Sequence, residues 1–259
     1  MAKKEKDEMF DEAEPQAAVP ATVLPQGSNL PAELDDPSEY PPDDELPLPR
    51  IKILQGPSDA VTQEDRTAGV LLVNLTGEEL EKITGIFLGM TRSYTRFINK
   101  ELVCKAQDFT TGVGDPGGSC VACTLKDWDP DESKPMSKRK PKCQENYNFV
   151  AVDSTELKDG FPVGMPFIFS THGAGLKYAK PFVAAGRAQR IPLFCFKAEL
   201  KVRRITNDLG TFFVPIFTVL GQTPPESWGK LREVAARLIA ASKRAPVEAA
   251  ADGEAAGEF

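Results

Sequence analysis

The 259-residue sequence contains a single histidine, and no stretch in it approaches the roughly 20 consecutive apolar residues that a transmembrane helix needs. One histidine leaves little room for catalysis by imidazole groups. The first eight residues are charged and lack an apolar run, so we expect no secretory signal and a cytoplasmic location. A phosphate-binding loop of the GK[ST] type is also missing, which argues against nucleotide hydrolysis.

Charge is distributed unevenly along the chain. Residues 1–46 carry 3 basic and 13 acidic side chains, residues 245–259 carry 4 acidic and no basic ones, and residues 47–244 carry 28 basic against 21 acidic ones. Both ends have a composition that buries little apolar surface, so we expect a disordered arm at 1–46 and a disordered tail at 245–259. The middle is predicted to be one domain, and its positive charge suits a polyanionic partner.

Strand patterns dominate residues 47–244. Predicted strands are Ile51–Leu54, Val70–Leu75, Ile86–Met90, Ser93–Ile98, Tyr147–Asp153, Pro166–Thr171, Phe194–Arg204 and Thr211–Leu220. Two short helices are predicted, at Gly175–Ala185 and Ser227–Ala241, the second from apolar residues at helical spacing. Many strands with one or two helices favour a mainly β fold, a small β-barrel or closed sheet.

Four of the five cysteines lie in segment 104–143, which is rich in turn-forming residues. Cys120 and Cys123 form a CxxC pair, whose spacing lets two thiolates bind one metal ion, and Cys104 and Cys143 complete a tetrahedron. Four protein ligands leave no open coordination position, so we predict one structural zinc ion per chain. The alternative is that Cys104 and Cys143 are apolar fillers and the CxxC pair is a redox motif or a chance occurrence. Cys195 is predicted to be a buried filler.

Basic and aromatic side chains share strand faces at two places. Period-two spacing puts Arg92, Tyr94 and Arg96 on one face, which suits phosphate neutralisation and base stacking. The strand Phe194–Arg204 alternates apolar residues with a charged face that carries Lys197, Lys201 and Arg203. Lys177, Tyr178 and Phe212 add further positive charge and candidate stacking rings. The alternative for both strands is an ordinary solvated face, with Tyr94 as a lid on the core.

The last residues, Glu258 and Phe259, offer a ring and an α-carboxylate that a partner protein could bind in an apolar pocket edged by basic groups. Phe259 could equally be a random terminal residue or a cloning remnant.

Several of these features together resemble bacteriophage single-stranded DNA-binding proteins of the OB-fold type. The resemblance is carried by the stretch from Ser170 to Arg204 followed by Asn207–Pro215, by Gly117–Leu125 with Lys142 and Cys143, and by an acidic tail that ends in Phe259. It implies an OB-like five-stranded β-barrel, a Cys-rich zinc insertion at 104–143 and a location in the bacterial host cytoplasm. It also implies recruitment of replication proteins (polymerase, helicase or primase) by the tail. The tail here holds fewer acidic residues than those of the family.

We therefore expect a protein without enzymatic activity that coats single-stranded DNA during phage replication or recombination, with weak sequence preference and no membrane partner. One alternative is a zinc-containing interaction or transcription-regulating protein that binds a host or phage polymerase. A second alternative is a metal-dependent nuclease that uses Asp127, Asp129 and Asp131, although these carboxylates lack the glycine and distal glutamate of a calcium loop.

Overall fold

The computed structural model describes residues 48–56, 61–62, 64–99, 101–207 and 210–244. The predicted disordered arm at 1–46 and the predicted tail at 245–259, with Glu258 and Phe259, lie outside the described residues. Among the described residues, no helix is both long enough and apolar enough to span a bilayer.

The described chain forms thirteen strands and two α-helices. The strands are β1 (Arg50–Ile53), β2 (Leu71–Val73), β3 (Glu79–Leu80), β4 (Lys82–Ile98), β5 (Glu101–Ala106), β6 (Thr111–Gly114), β7 (Gly118–Ser119), β8 (Gln144–Val152), β9 (Leu157–Lys158), β10 (Phe161–Pro162), β11 (Pro166–His172), β12 (Phe196–Asn207) and β13 (Gly210–Gln222). The helices are α1 (Ala174–Gln189) and α2 (Trp228–Arg244). The two helices confirm the periodicity predictions, and the prediction of a mainly β chain is also confirmed.

Strand β4 is the centre of the sheet, and its 17 residues replace the two separate strands that the sequence predicted. One edge of β4 pairs with β8, with a bulge between Phe87 and Gly89. The other edge pairs first with β12, from Lys82 to Ile86, and later with β5, from Tyr94 to Ile98. A bulge lets one strand bend without ending, which explains why the expected break is absent here.

Eleven strands form one mixed sheet in the order β3-β2-β1-β11-β8-β4-β5-β6-β7, with β12 paired to both β4 and β13. The described strands do not close into a barrel, so the expectation of a closed five-stranded barrel is wrong in strand number and in closure. The physical reason is the insertion of β1, which pairs in parallel with β11 where β13 would have to close the sheet. The short strands β9 and β10 form a separate hairpin.

The inner face of the sheet is defined by its aromatic core. Phe87, Phe149, Phe167 and Phe169 are fully buried there, and α1 contributes Phe182. The rings of Phe182 and Phe217 stack with centroids 4.9 Å apart. Complete burial of a phenylalanine contributes about 1.5–3 kcal/mol, so this cluster is the main source of stability on the inner face.

The outer face of the sheet is partly covered by α2. Ile86, Leu88 and Val152 point outward because they alternate with inner-face residues, and they pack against Leu231 and Val234 of the helix. Farther along the strands, beyond Val150 of β8 and Ile168 of β11, the outer face carries polar residues, and this part positions one of the candidate sites.

Candidate nucleic-acid interface and cysteine cluster

The connection between β4 and β8 brings the four predicted metal ligands together. Cys104 on β5, Cys120 after β7, and Cys123 and Cys143 in the following loop all line one cavity of about 20 Å³. Cys104 and Cys120 are buried, and the other two are half-buried. Hydrogen bonds between backbone groups fix this arrangement, for example from the N–H of Cys120 to the carbonyl of Thr110 and from that of Cys143 to the carbonyl of Leu125.

Within the cysteine cluster, negative charge on neighbouring cysteines raises the pKa of two of the thiols. The pKa of Cys143 is raised to about 11, mainly by burial and in addition by negative charge on the other three cysteines. Burial is also the largest cause that raises the pKa of Cys120, followed by charge on Cys104 and Cys123. All five cysteines of the chain are free thiols. Bringing four thiolates together is therefore unfavourable unless a cation binds between them.

Two cationic side chains stand beside the cysteine cluster. Arg96 donates from Nη1 to the carbonyl of Asp115 at 3.0 Å, and its charge lowers the pKa of Cys143. Lys126 donates from Nζ to the carbonyl of Val121 at 2.7 Å, and its charge lowers the pKa of Cys120. A zinc ion with four thiolates carries a net charge of about −2, and nearby cations of this kind offset it.

The residues around the cysteine cluster are closely packed. A Cβ at Gly112 would lie 3.1 Å from Sγ of Cys104, so a larger residue there would displace the thiol. Within the described residues, no three His, Cys, Asp or Glu side chains already have the arrangement of a formed metal site. The zinc assignment therefore stays a prediction that rests on the shared cavity and its donor chemistry. Cys195 does not line this cavity. It is fully buried in the apolar cluster between the outer face of the sheet and α2, as expected for a residue that only fills space in the core.

The predicted stacking platform on β4 contains an aromatic partner that sequence reasoning missed. The ring of Phe109 stacks on Tyr94 with centroids 4.3 Å apart, and the guanidinium carbon of Arg92 lies 3.6 Å from the Phe109 centroid. The Tyr94 ring and the Arg92 guanidinium are too large to lie on the same face of Phe109 at these distances. The Phe109 ring therefore lies between them. Arg92 also donates from Nε and Nη2 to Oε1 of Glu145, at 2.9 and 2.6 Å.

A turn built by Asp108 presents Phe109 to β4. Oδ1 of Asp108 accepts hydrogen bonds from the backbone N–H groups of Thr110 and Thr111, at 2.9 and 2.8 Å. A hydrogen bond from the Thr110 hydroxyl, together with these two backbone bonds, holds the pKa of Asp108 well below its usual range. The sequence Asp-Phe-Thr-Thr is a signal for such a turn, and attention to it would have placed Phe109.

Two of the three carboxylates considered for a nuclease, those of Asp129 and Asp131, are engaged in local structure. Asp129 accepts a hydrogen bond from Nζ of Lys134 at 2.6 Å, and Asp131 accepts one from the Ser133 hydroxyl at 2.6 Å. Both contacts lower the pKa of the carboxyl groups. This geometry is that of a charged surface turn.

The predicted basic residues of β12 are in part paired with acids. Lys201 donates from Nζ to Oε1 of Glu199 at 2.8 Å, and Lys82 lies 3.4 Å from the other oxygen of the same carboxylate. Lys197 is half-buried on the same strand face. Glu199 lies on the same charged face and reduces its positive charge.

A second group of predicted residues lies around α1 and the β12–β13 hairpin. The guanidinium of Arg203 lies 5.1 Å from the ring centroid of Tyr178, so this predicted pair is brought together. Lys177 is exposed on the same helix, and Phe212 is half-buried on β13. No contact within the described residues joins this group to Arg92, Tyr94 and Arg96.

The outer face of β4, β8 and β11 carries a polar strip that sequence reasoning missed. Asn146 donates from Nδ2 to the Thr95 hydroxyl at 3.0 Å, and Asn148 donates to Ser93 at 3.0 Å. The Ser170 hydroxyl donates to Oδ1 of Asn148 at 2.8 Å. The signal for this polar strip was the alternation of small polar residues with aromatic ones in three neighbouring strands.

Charged and titratable groups border the polar strip. Arg50 and Lys52 alternate with the buried Ile51 on β1 and so share the outer face, next to β11. His172 lies in line with Ser170, and burial lowers the pKa of its imidazole. The outer face is therefore polar, positively charged along one border, and uncharged at His172 near neutral pH.

A comparison of the chain with family models, with curated proteins and with solved structures finds no match. The function must therefore be argued from the geometry of the polar strip, the basic residues and the cysteine cluster.

Proposed function

We propose that the chain is a non-enzymatic single-stranded DNA-binding protein, related in strand order to the OB fold. The observation that carries this proposal is the path β4-β8-β11, then α1, then β12-β13, with β12 returning to pair with β4. An OB fold has five main strands in this order, with a helix between the third and the fourth strand. Its barrel can be partly open. The phage role in replication or recombination belongs to the same proposal.

The proposed DNA path follows from that correspondence. OB folds bind oligonucleotides on the face of their second and third strands and on two flanking loops. Here these strands are β8 and β11, whose outer face is the polar strip. The flanking loops are the β4–β8 connection and the β12–β13 hairpin. DNA would lie on the strip and pass over the edge of β4, because Arg92 and Arg96 alternate with Ser93 and Thr95 and so lie on the opposite face of the sheet. The proposed phosphate-neutralising residues are Arg92, Arg96, Lys177, Lys197, Lys201 and Arg203. Tyr94, Tyr178 and Phe212 are the proposed stacking rings.

The cysteine cluster has a structural role in this proposal. Cys104, Cys120, Cys123 and Cys143 would hold one zinc ion and thereby order the β4–β8 connection, which contains little apolar core of its own. The connection exposes Val113, Val121 and Trp128 instead of burying them, so packing alone contributes little to its stability.

The acidic tail would act on proteins and on DNA. Its residues lie beyond the described part of the chain, and the proposal keeps the sequence-based role of Glu258 and Phe259 in recruiting a replication polymerase, helicase or primase.

The experiment that tests the function is a titration of the full chain with fluorescent oligo(dT) and with duplex DNA at two salt concentrations. We expect tighter binding to oligo(dT) and a strong decrease of affinity with salt, because counterion release drives binding to phosphates. Failure to bind oligo(dT) at low salt would contradict the proposal.

One observation favours a second function, that of an interaction protein. Val113, Val121 and Trp128 are between 51% and 76% exposed on the cysteine-bearing connection, and exposed apolar groups in one segment are typical of protein interfaces. A polymerase bound tightly through this connection, without measurable affinity for oligonucleotides, would support this alternative.

A further inference from the structure

A cavity of about 340 Å³ lies where the edge of β4 loses its strand partner. The ladder with β12 ends at Ile86, and the ladder with β5 begins at Tyr94. Met90, Thr91 and Arg92 line the cavity within this interval. The volume lies in the range of small-ligand sites, and the unpaired edge supplies backbone groups to a ligand.

Three cations from three separate elements meet at this cavity. They are Arg92 of β4, Arg187 of α1 and Lys243 of α2. Arg187 and Lys243 are exposed, and neither forms an ion pair within the part of the chain that the structure describes. Like charges brought together without a counter-charge repel each other, so the arrangement favours an anionic ligand.

Arg92 is held in position before any ligand arrives. Its Nε and one Nη2 proton bind Glu145, and its planar face lies on Phe109. A guanidinium has five N–H donors, so three remain for a ligand. A guanidinium fixed in this way loses little conformational freedom on binding, and its forked geometry matches phosphate.

The cavity also contains one carboxylate, that of Asp108. Its oxygens already accept hydrogen bonds from Thr110 and Thr111, which delocalise its charge and reduce its repulsion toward an anion. Three cations against the carboxylates of Asp108 and of Glu145, which pairs with Arg92, leave a net charge of about +1 at the cavity.

The aromatic group in the cavity excludes base stacking as the mode of binding. Both faces of Phe109 are covered, one by Tyr94 and the other by Arg92. A nucleobase would find no free ring face there, whereas a phosphate needs only the donors. The chemistry of the cavity therefore matches the backbone of a nucleic acid and not its bases.

We propose that this cavity binds a phosphate group of the DNA strand at the point where the strand crosses the unpaired edge of β4. The inference rests on the proposed single-stranded DNA binding and adds one defined contact to it. Arg187 and Lys243 thereby become phosphate-binding residues.

The test compares two double variants of the full chain with wild type. Arg187→Gln with Lys243→Gln removes the two exposed cations of the cavity. Lys158→Gln with Arg232→Gln changes the net charge equally at exposed positions outside it. We expect only the first variant to flatten the plot of log affinity for oligo(dT) against log salt, by about 0.7 per lost phosphate contact. At low salt this corresponds to affinity about fivefold to tenfold weaker.

A second arm tests the cavity without DNA. Thermal unfolding is followed with increasing inorganic pyrophosphate, at ionic strength held constant with sodium chloride. We expect pyrophosphate to raise the unfolding temperature of wild type and of the Lys158/Arg232 variant, but not that of the Arg187/Lys243 variant. Equal stabilisation of all three proteins would overturn the cavity proposal.

The two arms separate this proposal from the proposed function. A protein that responds to pyrophosphate through Arg187 and Lys243 but does not bind oligo(dT) would refute the DNA function and keep an anion site. A poly-glutamate peptide that stabilises wild type where pyrophosphate does not would show a site for an acidic peptide and overturn the phosphate assignment.

Discussion

The side-chain amide of Gln55 binds the backbone of Phe213 at both of its polar groups. Its amide nitrogen Nε2 donates to the Phe213 carbonyl at 2.9 Å, and its amide oxygen Oε1 accepts from the Phe213 N–H at 3.0 Å. An amide side chain thus provides the pair of hydrogen bonds that a neighbouring strand would give to β13. This contact joins β13 to the segment after β1, where the sheet does not close by strand pairing.

We predict that Gln55→Ala lowers the free energy of unfolding by about 1–3 kcal/mol, because it leaves two half-buried backbone groups of Phe213 without partners. Urea denaturation followed by circular dichroism measures this change. Gln189→Ala, at the exposed end of α1, is the matched control and should change stability by less than about 0.5 kcal/mol. Equal effects of the two substitutions would show that the bridge is not stabilising.

The cysteine cluster predicts a metal content that can be measured directly. Elemental analysis of the purified wild type should find about one zinc ion per chain. Cys143→Ser should lose the metal, because it removes one of four ligands, whereas Cys195→Ala should retain it, because Cys195 lies in the outer apolar cluster. Zinc-free wild type with four readily titrated thiols would remove the metal from the proposal.

Much of the fold was predictable from sequence because its signals were local. The helical spacing in α2 and the alternation in β12 depend on residues a few positions apart, and both elements were found. The way the sheet ends without closing was not predictable from such local patterns. It depends on β1 pairing with a strand more than 100 residues later and on a single amide, that of Gln55, and neither leaves a periodic pattern.

Part of the candidate site was likewise predictable from local sequence signals, and part of it was not. The four cysteines that the spacing singled out line one cavity, because short spacing and a small set of residue types are local signals in the sequence. The environment of Arg92 was missed, since Phe109 reaches it from the turn between β5 and β6 and Glu145 from β8. A face of alternating residues shows which side chains point the same way but not what covers them.

We predict that Arg92→Ala combined with Tyr94→Ala weakens binding of oligo(dT) at least severalfold. The double substitution removes a positioned cation and a stacking ring from one strand face. Fluorescence anisotropy at low salt measures the affinity. Phe109→Leu is the informative comparison, because it keeps both residues but removes the ring between them. Unchanged affinity in the double variant would place the DNA path elsewhere.

The pKa of His172 predicts a pH dependence of stability. Burial lowers the pKa of its imidazole in the folded protein, so below the ordinary value of about 6.5 the unfolded chain binds a proton more readily. Stability should therefore fall as the pH decreases from about 7 through 6.5. Denaturation curves of wild type and His172→Gln across this range measure the effect. The variant should show a shallower dependence, and identical slopes would assign the dependence to other groups.

The last prediction concerns residues 245–259, which follow directly on α2. Their four carboxylates are tethered beside Lys243 and so compete with DNA phosphates for basic groups at a high local concentration. Deleting the tail should tighten binding of oligo(dT) at low salt, and the gain should shrink as salt screens the charges. A chain with Glu248→Gln, Asp252→Asn, Glu254→Gln and Glu258→Gln keeps the length and Phe259. If charge is the cause, it should bind as tightly as the deletion; if it binds like wild type, the tail competes through Phe259 or through its length.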